Sequence, residues 1–219
     1  GLDVYVTSTG WGASSWGDGT FGSAASLDDV NQLRQYSQDN FGDDLVFNPR
    51  AGSIYYWDQS SGTSTRAINF SSLSGASDVP TKALQIMVSD VDRHIICFGS
   101  NPIGSSSLDP LLVRWSDQEN AADWTPTSTN SAGGVKISSG SKIVGALRTR
   151  QEILIWTDSA LHSMRFVGAP FIFSFNEQKA GVSMISPNAA INANGQVYFM
   201  DRGSFFTYSG QVTPLPCAV

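Results

Sequence analysis

The sequence predicts an all-β fold made of propeller-like blades of antiparallel strands. Three observations support this prediction. Short apolar runs alternate with turn residues along most of the chain, one motif recurs at similar spacing, and several runs are apolar at both alternating positions. A β-sandwich or a β-barrel is the alternative, because both also consist of short strands joined by turns.

The composition agrees with this fold class. Of the 219 residues, 41% are hydrophobic and only 15% are charged, and 21 are glycine. Polar uncharged side chains and glycine favour turns, strand edges and protein interfaces over solvated helices. The formal net charge of −6 disfavours a general nucleic-acid-binding surface, which is basic.

The N-terminal segment "GWGASSWGDGTFGS" combines glycine with the aromatic residues Trp11, Trp16 and Phe21. We interpret these three residues as a possible partner contact. The segment lacks the Gly and Lys-Ser/Thr spacing of a phosphate-binding loop. The stretch 26–38 has helical spacing after cap-like Ser and Asp residues, whereas Gln35 to Asn40 fits a strand entering a turn equally well.

Four of the later apolar runs share one motif, in which three or four apolar residues and a large side chain precede an aspartate. The aspartates are Asp58, Asp117, Asp158 and Asp201. After the first interval the spacing lies in the low forties, which is typical of a four-stranded propeller blade. A Ser/Gly-rich insert near 60–80 accounts for the longer first interval. Residues 1–219 are therefore predicted to hold four to five blade-like units.

Several of these runs are apolar on both faces, as in Ile153 and Ile155 against Leu154 and Trp156. A strand with two apolar faces needs a layer packed on each side, as neighbouring blades provide. The aspartates after the runs are predicted to accept hydrogen bonds in turns. The predicted blade-core aromatic residues are Trp57, Trp115, Trp124, Trp156 and Phe199.

The block "RWSDQENAADWTP" allows two interpretations. Asp117, Glu119 and Asp123 could supply the two carboxylates of a glycosidase, with Trp115 and Trp124 as sugar platforms. Alternatively, the acidic and amide residues form a turn that the two indoles flank. The block does not match the Asp-box of sialidases, which has the pattern Ser-x-Asp-x-Gly-x-x-Trp. The structural interpretation is therefore favoured.

No other motif indicates a catalytic, metal or cofactor site, and we predict a protein that is not an enzyme and needs no cofactor. His94 and His162 lie within strand patterns, and no Gly-x-Ser-x-Gly elbow accompanies them. Cys97 and Cys217 lack metal-ligand spacing and are interpreted as core residues, although a disulfide between them stays open.

No run of 18 apolar residues is present, so no membrane span is predicted. The chain begins in the style of a strand, without an initiator Met, and stops without a polar tail. We therefore expect a fragment of a longer polypeptide.

The sequence resembles the tail nozzle proteins of short-tailed bacteriophages, also called tail tubular protein B or tail hub proteins. Segments that carry the resemblance follow one another along nearly the whole chain. They are "GWGASSWGDGTFGS", "DNFGDDLVFNPRAGSIYYWD", "DRHIICFGSN", "LDPLLVRWSDQENAADWTPTSTNSAGG", "EILIWTDSALHSMRFVG" and "GQVYFMDRGSFFTYSGQVTPLPC".

The resemblance implies a structural virion protein of the tail, whose β-propeller domains form a hexameric ring. It implies a homo-oligomer that contacts the tail adaptor and fibre or spike proteins and surrounds the conduit for DNA ejection, without binding the passing DNA specifically. Members of the family are usually several times longer than this chain. The alternative is a carbohydrate-binding or glycan-cleaving β-propeller for attachment to the host surface.

Overall fold

A computed structural model describes residues 35–90 and 92–216. These residues form sixteen strands in four antiparallel sheets of four strands each, together with two single 3₁₀ turns at Gln59–Ser61 and Phe70–Ser72. The predicted all-β class is confirmed. No helix in the described part of the chain is long and apolar enough to cross a membrane.

Each sheet takes four consecutive strands. The first holds β1 (Tyr36–Phe41), β2 (Asp44–Pro49), β3 (Tyr55–Trp57) and β4 (Ile68–Asn69). The second holds β5 (Ala83–Val88), β6 (Ile95–Ser100), β7 (Leu112–Trp115) and β8 (Gly133–Lys136). The third holds β9 (Ile143–Arg148), β10 (Ile153–Thr157), β11 (Ala160–Gly168) and β12 (Ile172–Ala180), and the fourth holds β13 (Ala190–Ala193), β14 (Gln196–Met200), β15 (Phe205–Tyr208) and β16 (Val212–Leu215).

Within every sheet each strand pairs with the next strand in the chain, which gives four simple meanders. Short turns make this order possible. Asn194 and Gly195 both have positive φ, 52° and 81°, and join β13 to β14 in a tight hairpin. Asn-Gly is the preferred pair for a hairpin turn of this kind because both residues tolerate the left-handed conformation.

The four sheets stack through three apolar cores, and strands of the middle sheets contribute to two cores each. On β6, Ile95 and Cys97 face the first sheet, whereas Ile96 and Phe98 face the third. On β10, Ile153 and Ile155 face the second sheet, whereas Leu154 and Trp156 face the fourth. The prediction of strands that are buried on both faces is confirmed.

The first strand of each sheet is the innermost one. β1 contacts β5, β5 contacts β9, and β9 contacts β13. Residues of all four strands line one shared cavity. Four separate meanders with their first strands side by side are the arrangement of propeller blades, and they differ from the two facing sheets of a sandwich or the single closed sheet of a barrel.

Two details of the predicted repeat need correction. The stretch near 60–80, interpreted as an insert, contains β4, the fourth strand of the first sheet. The recurring motif lies on the third strand in the first and second sheets, before Asp58 and Asp117. It lies on the second strand in the third and fourth sheets, before Asp158 and Asp201. The motif spacing therefore does not mark equivalent positions in the blades.

Of the two alternatives for the stretch that begins at residue 26, the strand is confirmed from Tyr36 onwards, because Tyr36–Phe41 is β1, and residues 26–34 lie outside the described residues. Trp11, Trp16 and Phe21 lie outside the described residues, so their predicted partner contact stays a prediction.

Candidate functional site along the inner strands

The inner strands line an open cavity of about 490 Å³. Because successive side chains of a strand point to opposite sides, each inner strand sends some residues towards this cavity and others into the cores. Most of its lining is polar and uncharged or small and apolar. Asp39, Gln85, Arg148 and Asn188 supply much of the polar lining.

The free edges of the inner strands are covered by side chains of neighbouring sheets. The Gln85 amide makes two hydrogen bonds of 2.8 Å with the backbone of Ala146, one as donor and one as acceptor. In the same way, the N–H of Val88 donates to Asp39 at 2.9 Å, and the N–H of Ile86 donates to the Ser37 hydroxyl at 2.9 Å. An inner edge that would otherwise expose unpaired backbone groups is thereby satisfied.

Arg148 joins three sheet elements at one point. Its guanidinium donates to Asp39 of β1 at 2.9 Å and to the carbonyl oxygen of Val88 at 2.5 Å, and it lies 3.0 Å from Asp90. Asp39 and Arg148 are the charged side chains of the cavity lining, so the lining is close to neutral. The first and third sheets are thus linked directly across the second.

Arg50 provides a second link of the same type. The residue follows β2, and its guanidinium donates to the carbonyl oxygen of Val144 on β9 at 2.9 Å. Burial lowers the pKa of Arg50. Two arginines therefore hold the first sheet to the third, Arg148 through the carboxylate of Asp39 and Arg50 through the carbonyl oxygen of Val144.

Arg114, in the block of 114–126, serves as a buried clamp. Its guanidinium donates to the carbonyl oxygens of Asp78 at 2.5 Å and Asn101 at 3.2 Å, and lies 5.9 Å from the centre of the Trp124 ring. Burial lowers the pKa of Arg114, with opposing effects from Cys97 and Asp78. The clamp ties three loop segments to β7.

The acidic residues of this block act as acceptors within the fold. Asp117 accepts from the backbone N–H of Ser131 at 2.8 Å and from its hydroxyl at 2.7 Å. Asp123 accepts from the N–H of Thr125 at 3.1 Å and from the Asn130 amide at 3.0 Å. Glu119 lies 3.8 Å from Arg93. The block has the geometry of a braced turn.

His94 belongs to an Asp-His-Ser row that the sequence analysis missed. Its Nδ1 contacts Asp92, and its Nε2 lies 2.8 Å from the Ser131 hydroxyl. That hydroxyl donates to Asp117 and accepts from the N–H of Gln118 at 2.9 Å, so its proton is not directed at His94. His94 is buried against the rings of Phe166 and Phe173. The row ties the start of β6 to the loop before β8.

Four of the five predicted core aromatic residues are buried: Trp115, Trp124, Trp156 and Phe199. Trp57 differs from the prediction. It is half-buried on the face of the first sheet that points away from the second, and its indole N–H donates to the carbonyl oxygen of Thr65 at 3.1 Å. The residues next to Trp57 in the sequence are apolar, which predicts burial. Among the described residues, however, no sheet packs on this face.

All four predicted aspartates accept backbone N–H groups. Asp58 accepts within its own turn, from Ser60 at 2.8 Å. The others reach further along the chain, Asp117 to Ser131, Asp158 to the N–H of Ser141 at 2.7 Å, and Asp201 to the N–H of Ser183 at 3.2 Å. Hydrogen bonds from Ser141 hold the pKa of Asp158 below its ordinary value.

Among the described residues, no cluster of His, Cys, Asp and Glu could hold a metal ion. Cys97 is a free, buried thiol, and burial raises its pKa. Cys217 lies outside the described residues.

The long-range hydrogen bonds made by Gln85, Arg50 and Arg148 could not be predicted from the sequence, because their partners are backbone groups dozens of residues away.

No family model matches the chain, and no curated protein matches it. A solved structure to which it is similar is that of Hsv2 from Kluyvelomyces marxianus, at 9% sequence identity and a TM-score of 0.39. The match covers 83% of this chain and 48% of that one, so the chain spans about half the length of Hsv2. A similarity of this level carries no information on function.

Proposed function

We propose that this chain is a structural, non-enzymatic part of the tail of a short-tailed bacteriophage, where it builds a ring of the nozzle or hub. The resemblance of the six sequence segments to tail nozzle proteins supports the viral assignment. The proposed ring extends the conduit for DNA ejection and contacts adaptor and fibre proteins.

The observation that carries the structural role is the state of the carboxylates in the block 114–126. Asp117 and Asp123 are both engaged by donors of the same loop, and Glu119 faces Arg93. Glycoside cleavage uses two carboxyl groups that face one substrate, one of them free to give a proton. Residues that are already committed to bracing a turn favour a scaffold over a glycan-cleaving site.

The side-chain hydrogen bonds between the sheets support the same role, because a ring component must keep its shape under mechanical force. Side-chain bridges through Arg148, Arg50 and Gln85 fix the sheets against sliding, in addition to the apolar cores. In this proposal the DNA passes through the opening of the assembled ring.

The proposal is tested by locating the chain in purified virions. Gold-labelled antibodies against the folded chain, followed by electron cryomicroscopy and averaging of the tail, should place it in a ring around the tail axis below the portal. Incubation of the purified chain with capsular polysaccharide should release no reducing ends. A chain that is absent from virions refutes the viral role, and release of sugar that Asp123→Asn abolishes refutes the non-enzymatic role.

A further inference from the structure

A buried contact between Asp92 and His94 lies where the second and third sheets meet. Both residues lie just before β6, and their side chains are 2% and 0% exposed. From the third sheet, the ring of Phe173 lies edge-on to the His94 ring at 5.3 Å between centres, and that of Phe166 lies at 5.9 Å. The contact therefore belongs to the packing between the two central sheets.

The hydrogen bonds of Ser131 show that Nε2 of His94 carries a hydrogen. The Ser131 hydroxyl has one proton, and its oxygen lies 2.7 Å from Asp117 and 2.8 Å from Nε2. Although burial acts in the opposite direction, hydrogen bonds from Ser131 hold the pKa of Asp117 below its ordinary value. Because a carboxylate can only accept, the hydroxyl donates to Asp117, and Nε2 must donate to the hydroxyl oxygen.

The other ring nitrogen of His94 faces the carboxylate of Asp92. Nδ1 and Oδ2 of Asp92 are in contact, and neither has another hydrogen-bond partner among the described residues. The second oxygen of the carboxylate, Oδ1, accepts from the Ser89 hydroxyl. An ionised carboxylate and an unprotonated imidazole nitrogen are both acceptors, and two buried acceptors in contact repel one another. A proton between them removes this repulsion.

We propose that the folded protein keeps one buried proton between Nδ1 of His94 and Oδ2 of Asp92, and that this proton makes the junction of the second and third sheets sensitive to pH. With the proton in place, the pair carries no net charge and fits among the rings of Phe166 and Phe173. Without it, a buried carboxylate has no compensating partner on one side, and the junction is destabilised. The inference concerns the chain alone and is independent of the proposed viral role.

The charged side chains that face the pair come from both sheets and from the loops between their strands. They are Asp117 behind Ser131, Arg93 and Glu119 as a pair, and the residues that border the small cavity beside Asp92, namely Asp90, Arg148, Arg150 and Glu152. All are carboxylates or guanidinium groups, which are not types that ordinarily titrate between pH 6.5 and pH 8. A pH dependence in this range therefore points to the His94 pair.

The sign of the pH dependence follows from counting protons. In the unfolded chain a histidine loses its proton near pH 6.5, and an aspartate is already ionised above about pH 4. Above about pH 6.5 the folded chain therefore binds one proton more than the unfolded chain, and its stability falls as the pH rises until the folded pair releases that proton. His162 acts below this range and with the opposite sign, because burial lowers its pKa.

Asp92→Asn tests the shared proton, because an amide has the shape of the carboxylate and can donate to an unprotonated Nδ1. In the parent, the unfolding equilibrium constant from urea titrations should rise by roughly eightfold between pH 7 and pH 8. The range ends at pH 8 because burial raises the pKa of the Cys97 thiol, which adds a dependence of the same sign at higher pH. In Asp92→Asn the constant should not change between these two pH values.

Asp90→Asn is the matched control. It makes the same replacement two residues earlier, at a side chain that is 68% exposed, and it should keep the eightfold change of the parent. A parent whose unfolding constant is the same at pH 7 and pH 8 would overturn the proposal. So would an Asp92→Asn variant that keeps the change, or an Asp90→Asn variant that loses it.

Nuclear magnetic resonance on the parent gives a second test, which holds even if Asp92→Asn does not fold. At pH 7.5 the His94 ring hydrogen on Cε1 should show nuclear Overhauser effects to two slowly exchanging protons, one on the Nε2 side and one on the Nδ1 side. His162 serves as the internal reference and should show one such proton at most, because its lowered pKa leaves the ring neutral. A single exchangeable proton at His94, on Nε2, means that no proton is shared with Asp92 and refutes the proposal.

Discussion

Replacing Trp156 by alanine tests the core between the third and fourth sheets. The indole is fully buried, and its ring centre lies 5.3 Å from that of Phe199 in an edge-to-face arrangement. Its buried N–H has no hydrogen-bond acceptor among the described residues. Two opposing effects therefore act when the side chain is changed.

The magnitude follows from these two effects. Truncating a buried Trp to Ala costs about 3–5 kcal/mol through lost packing and the cavity that remains. An unpaired buried N–H costs about 1–3 kcal/mol, which both Trp156→Ala and Trp156→Phe recover. We therefore expect Trp156→Ala to lower the free energy of unfolding by about 2 kcal/mol. Trp156→Phe keeps one aromatic ring against Phe199 and should fall within about 1 kcal/mol of the parent.

Urea denaturation followed by far-UV circular dichroism measures both variants, and unchanged m-values show that the midpoints report stability. Trp57→Ala is the control. Its side chain is half-buried and its N–H is paired with Thr65, so it should cost about 1 kcal/mol. If Trp156→Ala unfolds at the same urea concentration as the parent, Trp156 does not build this core. If Trp156→Phe loses as much as Trp156→Ala, the unpaired N–H carries no cost.

Three further outcomes are expected. Gly133→Ala places a Cβ 2.7 Å from a neighbouring indole ring and should destabilise by about 1–3 kcal/mol, whereas Gly203→Ala meets nothing within 4 Å and should leave the thermal midpoint unchanged. Arg148→Met should cost about 1–2 kcal/mol, and a double-mutant cycle with Asp39→Asn should reveal their coupling. The depressed pKa of Asp158 gives stability that is present above its unfolded value of about 3.9 and is lost as the pH falls through the folded value, so Asp158→Asn should lower the midpoint at pH 7 and cease to do so under strongly acidic conditions.

Most strands, and the burial of the central strands on both faces, could be predicted from the sequence. β6 and β10 each carry four consecutive buried apolar residues, and this pattern requires a layer on each side. By contrast, β4 has two exposed residues and β8 begins with two glycines, so neither carries a strand signal. Both strands form because a neighbouring strand offers a free edge, which is a tertiary effect.

The candidate site along the inner strands could not be predicted in the same way. Gln85, Asp39 and Arg148 bind backbone groups of other sheets, and backbone acceptors leave no trace in the sequence. The burial of His94 was consistent with its strand pattern, but its contact with Ser131 joins residues on separate segments. Residue type alone does not determine such pairings.

The order of the sheets also bears on how the protein is made. Every strand pairs only with its neighbours in the sequence, so the ribosome releases each sheet complete before the next one emerges. Loops that close over short distances need little chain entropy, and pairing within a meander is therefore fast. Each newly finished sheet meets a predecessor that is already folded and can serve as its template. Growth of the nascent chain and growth of the folded body then proceed in the same direction.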